Sequence, residues 1–320
     1  MRLLLTGSTG FVGGALLRKL QEMPHLQIVA AVRSATDKLP GAVTRLTVDG
    51  LALGTNWKDS LRGVEVVIHC AARVHVMSDV EADPLAAFRR ANVEGTLGLA
   101  RQARDAGVRR FIFVSTIKVN GESTKLGNPF TADQAPAPVD PYGVSKLEAE
   151  QGLRKIAEES AMEVVIVRPT LVYGPAVKAN FLNMMRWVNR GVPLPFGAIH
   201  NRRSLVSLYN LVDLIITCVY HPAAANQTFL VSDGQDVSTT ELLRRIGDAL
   251  GRPARLLPVP SILLEVGATV FGRRALSQRL CGSLQVDINK TRELLGWTPP
   301  VSLDDALKRT ANYYLEHQDK

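Results

Sequence analysis

The chain has 320 residues, 46% of them hydrophobic and 21% charged. That length and balance describe a globular protein with a real core, and they exclude a disordered, collagenous or coiled-coil chain. Thirty-eight Lys and Arg against 30 Asp and Glu leave a net charge of +8, which suits a phosphorylated small molecule, an anionic surface or nucleic acid. With 6% aromatics and no run of five basic residues, nucleic acid is the weakest of the three. Cys70, Cys218 and Cys281 are widely spaced and form no CxxC. They are expected to be reduced thiols of a cytoplasmic protein, and no metal site is expected. The apolar start, Leu3-Leu4-Leu5, gives way to Thr6-Gly7 too early for a signal peptide. No run of 18 apolar residues offers a membrane span.

Short apolar runs alternate with amphipathic stretches through the first half. Strands are expected at 3–5, 28–32, 64–69, 110–115 and 162–168, and helices at 12–23, 85–106 and 142–160. Strand, helix, strand with uncharged strands implies parallel strands covered on both faces: a doubly wound α/β sheet. Beyond Arg168 the rhythm changes. Tyr173-Gly174-Pro175 and Gly191-Val192-Pro193 read as loops, 227–231 as one more strand, and Ser238-Thr239-Thr240-Glu241 as a capping box opening a helix to 250. Helical spacing returns at 261–270 and 303–316. The expected organisation is a doubly wound domain over 1–172, rejoined by 204–232, and a smaller domain over 173–320.

Thr6-Gly7-Ser8-Thr9-Gly10-Phe11-Val12-Gly13 lies between the first strand and the first helix. Gly7 permits a tight turn, Gly10 lets a diphosphate approach, and Gly13 lets helix and strand pack closely. The first helical amides then face the anion, which puts the backbone of Gly7, Gly10, Phe11, Val12 and Gly13 against a dinucleotide. The second strand ends in Ala31-Val32-Arg33-Ser34, with no acid to read a ribose. Arg33 attracts a 2′-phosphate, so NADP(H) is expected over NAD(H). The plain alternative is a solvated strand-end Arg. Asp49 is placed near the adenine, and Ala71 and Ala72 where a cofactor needs backbone room.

Pro141-Tyr142-Gly143-Val144-Ser145-Lys146 opens a helix with Tyr142 and Lys146 one turn apart on one face. The ammonium is expected to lower the phenol pKa, making the pair an acid–base for an alcohol or ketone oxygen. Ser115-Thr116 ends the preceding strand.

Residues 6–13, Ser115-Thr116 and Tyr142/Lys146 together resemble the extended short-chain dehydrogenase/reductases that act on nucleotide sugars. Asn92-Val93-Glu94-Gly95-Thr96, Arg168-Pro169 with Tyr173-Gly174-Pro175, and Leu295-Gly296-Trp297 match that family's later motifs in order. The resemblance implies a Rossmann domain with a smaller C-terminal substrate domain. It makes Tyr142 and Lys146 catalytic, with Thr116 on the reacting oxygen and Ser115 as second choice. Asn92 and Pro169 fall beside the cofactor, Asn92 supporting active-site backbone. Lys118, Asn180, Phe196, Arg203 and Arg279 fall on a UDP-sugar. A homodimer paired through 85–106 and 142–160 is also implied. Family dehydratases carry Asp after the Thr; Ile117 stands there instead and argues against dehydration.

Residues 117–121 and 202–213 resemble a bacterial O-antigen branch of that family. The reading taken from it is NADPH-dependent 4-keto reduction of a UDP-4-keto-6-deoxy-N-acetylhexosamine. The alternative is a UDP-hexose or UDP-N-acetylhexosamine 4-epimerase with bound NAD, and a remoter one is a non-catalytic NADP-binding sensor or scaffold.

Overall fold

The computed structural model describes residues 1–34, 39, 43–48, 50–52, 54–74, 83–264 and 280–318. Leu3, Leu4 and Leu5 have no exposed surface, which fixes β1 (Arg2–Thr6) as a central strand. Leu3 and Leu5 pack into one core cluster and Leu4 into another, as alternation across a sheet covered on both faces requires. Around β1 lie β2 (Gln27–Val32), β3 (Thr44–Thr47), β4 (Val66–His69), β5 (Arg110–Val114) and β6 (Glu163–Pro169). The small strands β7 (Leu171–Tyr173) and β8 (Arg203–Ser207), then β9 (Thr228–Val231) and β10 (Asp236–Val237), follow.

The large sheet is wholly parallel, in the order β3-β2-β1-β4-β5-β6-β9. The chain reverses its direction of build between β1 and β4, and the crevice beyond the carboxyl ends of those strands is where such sheets bind ligands. A second sheet has the order β10-β8-β7. With α5 (Ala179–Asn189), α7 (Thr239–Ala249) and α9 (Leu303–Glu316), it surrounds a third core cluster that includes Tyr173, Phe181, Leu243 and Leu307.

The other helices are α1 (Phe11–Gln21), α2 (Pro84–Phe88), α3 (Gly95–Asp105), α4 (Pro141–Glu158), α6 (Leu208–Tyr220) and α8 (Asn289–Leu295). The stretch expected as one helix over 85–106 is α2, a π-helical segment (Arg89–Glu94) and α3. The wider π turn swings Asn92 out of simple helical register, a device common at functional sites. Ser238 caps α7 by accepting from the Glu241 amide. The Glu241 carboxylate pairs with Arg245 at 2.5 Å, so the reciprocal half of the expected capping box is absent. Residues 261–264 are helical, and the rest of the helix expected over 261–270 lies outside the described residues. No helix among the described residues is long and apolar enough to cross a membrane.

Candidate active site

The glycine turn closes tightly over the end of β1. Gly7 has φ +71°, and a Cβ there would lie 2.7 Å from the Ala71 amide nitrogen. A Cβ on Gly13 would lie 2.1 Å from the Gly7 carbonyl oxygen. Both contacts are with backbone, so neither position accepts a side chain without moving a strand end or a helix. Gly10 caps α1 with no side-chain hydrogen bond, and a Cβ there would meet only the Gly7 oxygen at 3.1 Å. The first amides of α1 therefore carry positive charge with no side-chain acceptor at the cap. A bare helix start, two obligatory glycines and a strand-order reversal together fit a nucleotide diphosphate. Phe11 and Val12 turn their side chains into the packing, against the third and first core clusters. Ser8 donates to the Ala31 carbonyl at 3.0 Å, tying the turn to the end of β2 where Arg33 is exposed. Ala71 and Ala72 follow β4 beside Gly7, and the Ala71 amide donates to Thr6 Oγ1 at 3.3 Å.

The opening of α4 lies against the end of β5, where Lys146 meets Val114. Its sequence starts with Asp140, whose carboxylate accepts from the Gly143 amide, and Pro141 at the position where a missing N–H costs nothing. Lys146 is buried, donates to the Val114 carbonyl at 2.7 Å, and lies 3.8 Å from the Phe113 ring centroid. Burial pulls its ammonium down to about 7, against the opposing attraction of Glu150. Tyr142 does not follow expectation. Burial and then the Asp140 charge push the phenol up to about 12. The expected lowering by Lys146 is overturned, because desolvation of the phenolate outweighs a neighbour whose own charge is weakened by burial.

Thr116 accepts from the Lys118 amide at 3.3 Å, and among the described residues nothing takes its own hydroxyl proton. Ser115, the second choice, is turned away: its hydroxyl donates to Glu150 Oε1 at 2.5 Å inside the protein. Glu150 also receives Arg168 through Nε at 3.0 Å and Nη2 at 2.5 Å, while Arg168 Nη1 donates to Asn120 Oδ1 at 2.9 Å. This buried network underlies the strand ends. Of its members, Ser115 is expected from sequence as the second choice for the reacting oxygen, Arg168 and Asn120 appear only within family motifs, and Glu150 is not singled out although it follows Lys146 by one more helical turn.

Asn92 serves backbone rather than a ligand. Its Nδ2 donates to the Arg73 carbonyl and to Ser145 Oγ, and its Oδ1 accepts from the Arg73 amide at 2.8 Å. Ser145 in turn donates to the Tyr142 carbonyl at 2.8 Å. His69, also missed, has no exposed surface and is hydrogen-bonded to Thr6 at 2.7 Å and Thr96 at 3.0 Å. Burial first, then the Lys146 charge, pulls it down to about 3, so it is neutral.

Lys118 is not free for a substrate: its ammonium is held by Glu122 at 3.0 Å and by Asp140. Pro169 is buried at the end of β6. Asn180 is exposed in the first turn of α5. Phe196 packs on the third core cluster, and its carbonyl accepts from Thr240. Arg203, at the start of β8, donates to the Gly282 carbonyl at 3.1 Å, and burial pulls its guanidinium down. Asp49 and Arg279 lie outside the described residues.

This geometry is that of a nucleotide-dependent oxidoreductase of the doubly wound class. Residues 3–232 match the model of the NAD dependent epimerase/dehydratase family, and the chain belongs to it. It is 51% identical to a UDP-glucose 4-epimerase of Vibrio cholerae over 99% of this chain and 97% of that protein. The fold is that of the Thermotoga maritima UDP-glucose 4-epimerase solved with UDP-glucose (TM-score 0.78, 23% identity, all of both chains). It is also that of the Bacillus cereus UDP-glucuronic acid 4-epimerase solved with NAD (TM-score 0.80, 19% identity, 100% and 99% of the two chains).

Proposed function

We propose that this chain is a nicotinamide-dependent 4-epimerase of a UDP-hexose or UDP-N-acetylhexosamine. One arrangement supports the reading: Lys146 reaches the Val114 carbonyl at the end of β5, Thr116 follows that strand, and Tyr142 lies one helical turn before Lys146, while the Gly7–Gly10–Gly13 turn follows β1 of the same parallel sheet. The 51%-identical relative named UDP-glucose 4-epimerase supports 4-epimerisation over the 4-keto reduction expected from the sequence. A bound nicotinamide dinucleotide supplies the reversible two-electron acceptor. The amides at the start of α1 would hold its diphosphate, and Arg33, exposed just past the end of β2, would meet its adenosine ribose. Thr116 donates its hydroxyl proton to the sugar oxygen and orients it. Tyr142 moves the proton on that oxygen, and Lys146 supports the charge that develops there. Arg203 and Asn180 are assigned to the UDP portion. The reading includes a cytoplasmic homodimer paired through α3 and α4.

Arg33 favours a second reading, NADPH-dependent reduction of a UDP-4-keto-6-deoxy-N-acetylhexosamine, and a phenol held protonated is suited to giving up a proton. One experiment separates the two. Purified protein is incubated with UDP-glucose or UDP-N-acetylglucosamine and NAD, and in parallel with the keto sugar and NADPH. Galacto-epimers without net cofactor change support the epimerase. Stoichiometric NADPH loss with the keto sugar alone overturns it in favour of the reductase, and inertness with all of them refutes both. Tyr142→Phe should lower turnover at least about 100-fold in either case, and retained activity would remove Tyr142 from the mechanism.

A further inference from the structure

The short turn that follows Thr116 is a 3-10 turn, Ile117–Val119. It meets the segment that leads into α4 once and the start of α4 twice. The Ala137 amide donates to the Val119 carbonyl at 3.0 Å. A Cβ on Gly143 would lie 3.0 Å from both the Lys118 carbonyl oxygen and Asp140 Oδ1, so the helix seats closely against the turn. The third contact is the Lys118–Asp140 ion pair, with Glu122 as the ammonium's other partner. Asp140 is thus engaged twice: Oδ1 caps α4 at the Gly143 amide, and Oδ2 takes Lys118. The cap precedes Tyr142 by two residues.

We propose that Lys118 is a positioning residue. Through Asp140 it fixes the turn carrying Thr116 against the helix turn carrying Tyr142, and it offsets the carboxylate charge beside the phenol. The inference rests on Tyr142 being the proton-transfer group. Lys118 and Asp140 are each about a quarter to a third exposed, so the pair is partly screened. Its value lies in geometry and in local charge more than in fold stability. Among the described residues, the other charged groups near Tyr142 are Lys146 on its own helix, Glu122 beside Lys118, Arg73 after β4, and Arg89 at the junction of α2 with the π segment, paired with Glu148 of α4. Among the charges, Asp140 is the one that raises the phenol. Taking away the cation that faces it therefore leaves the phenolate less favoured.

The test is a charge cycle in the holoenzyme: Lys118→Met, Lys118→Arg, Asp140→Asn and the Lys118→Met/Asp140→Asn double variant. Two readouts are taken against pH. One is turnover. The other is tyrosinate absorbance, measured as the difference between each variant and the same variant carrying Tyr142→Phe. Lys118→Met should move the Tyr142 titration to higher pH by about half a unit to one unit, the size expected for a partly screened charge at close range. Asp140→Asn should move it lower, with the side-chain amide still able to cap α4. The double variant should return it near the wild-type position, and Lys118→Arg should leave it unmoved. A wild-type titration in Lys118→Met, or equal shifts in Lys118→Met and Lys118→Arg, overturns the proposal. If the absorbance titration shifts while turnover has no Tyr142-dependent limb, the positioning role stands and the assigned proton transfer fails. If Lys118→Met misfolds, the Asp140→Asn shift alone decides: no shift overturns the proposal.

Discussion

Replacing Lys146 with methionine should end turnover yet stabilise the fold below neutral pH. An unperturbed lysine titrates at 10.5, and burial lowers Lys146 to about 7. As pH falls from 10.5, the unfolded chain takes up this proton before the native one, so the native state is progressively penalised until about pH 7. Below that both are protonated and the penalty is constant. At 1.36 kcal/mol per unit of pKa, it is on the order of 5 kcal/mol at pH 6, about 3 at pH 8.5 and about 1 at pH 9.5. Methionine fills similar apolar space over Phe113, but it leaves the Val114 carbonyl without its donor at a cost of about 1–3 kcal/mol. The variant should therefore be about 2–4 kcal/mol more stable than wild type at pH 6, and level with it or weaker at pH 9.5. Urea unfolding followed by tryptophan fluorescence between pH 6 and 9.5 reads this directly. A difference that stays constant with pH would refute the argument, since the missing hydrogen bond contributes the same amount throughout.

Gly13→Ala places a methyl 2.1 Å from the Gly7 oxygen. The resulting strain, about 1–3 kcal/mol or more, should outweigh the ~1 kcal/mol that Ala gains in a helix. Calorimetry should show a lower Tm, and titration with NAD or NADP should show weakened binding; unchanged binding would sink the cradle assignment. Arg168→Met strands the buried Glu150 carboxylate and should cost about 3–5 kcal/mol. A loss under 1 kcal/mol in denaturant unfolding would mean that the network is not structural.

Legibility from sequence follows the strength of local signals. β1 announces itself because three leucines with no polar face run straight into a glycine turn that opens a helix, which suits a strand buried in a parallel sheet; Gly7 there has a positive φ. β3 is invisible: Thr-Arg-Leu-Thr on the sheet edge is mostly exposed and carries no apolar alternation. The small sheet escapes because its strands are two to five residues long. Spacing and motif order nominate Tyr142, Lys146 and Thr116. They do not give what these residues experience. The high phenol depends on burial against Phe88 and on Asp140, and the destination of Ser115 depends on Glu150, 35 residues away in the chain. Asn92 was legible as a motif, but its grip on residue 73 depends on a π turn that no periodicity announces.

The turn after Thr116 also bears on which reaction this pocket can run. Elimination of a hydroxyl from a neighbouring carbon needs a second side chain able to deliver a proton beside Thr116. Ile117 is buried in the first core cluster and has no proton to give. Lys118 is tied to Asp140 and Glu122. Val119 is buried. Asn120 is spent between Arg168 and the Thr131 carbonyl. Along this turn and the opening of α4, Thr116 and Tyr142 are the groups left with exchangeable protons for one oxygen. That distribution suits oxidation and reduction at a single carbon, by epimerisation or by keto reduction, and disfavours dehydration. The position that resembles a family dehydratase's acid is packing, and the one after it is ion-paired to the N-cap of α4.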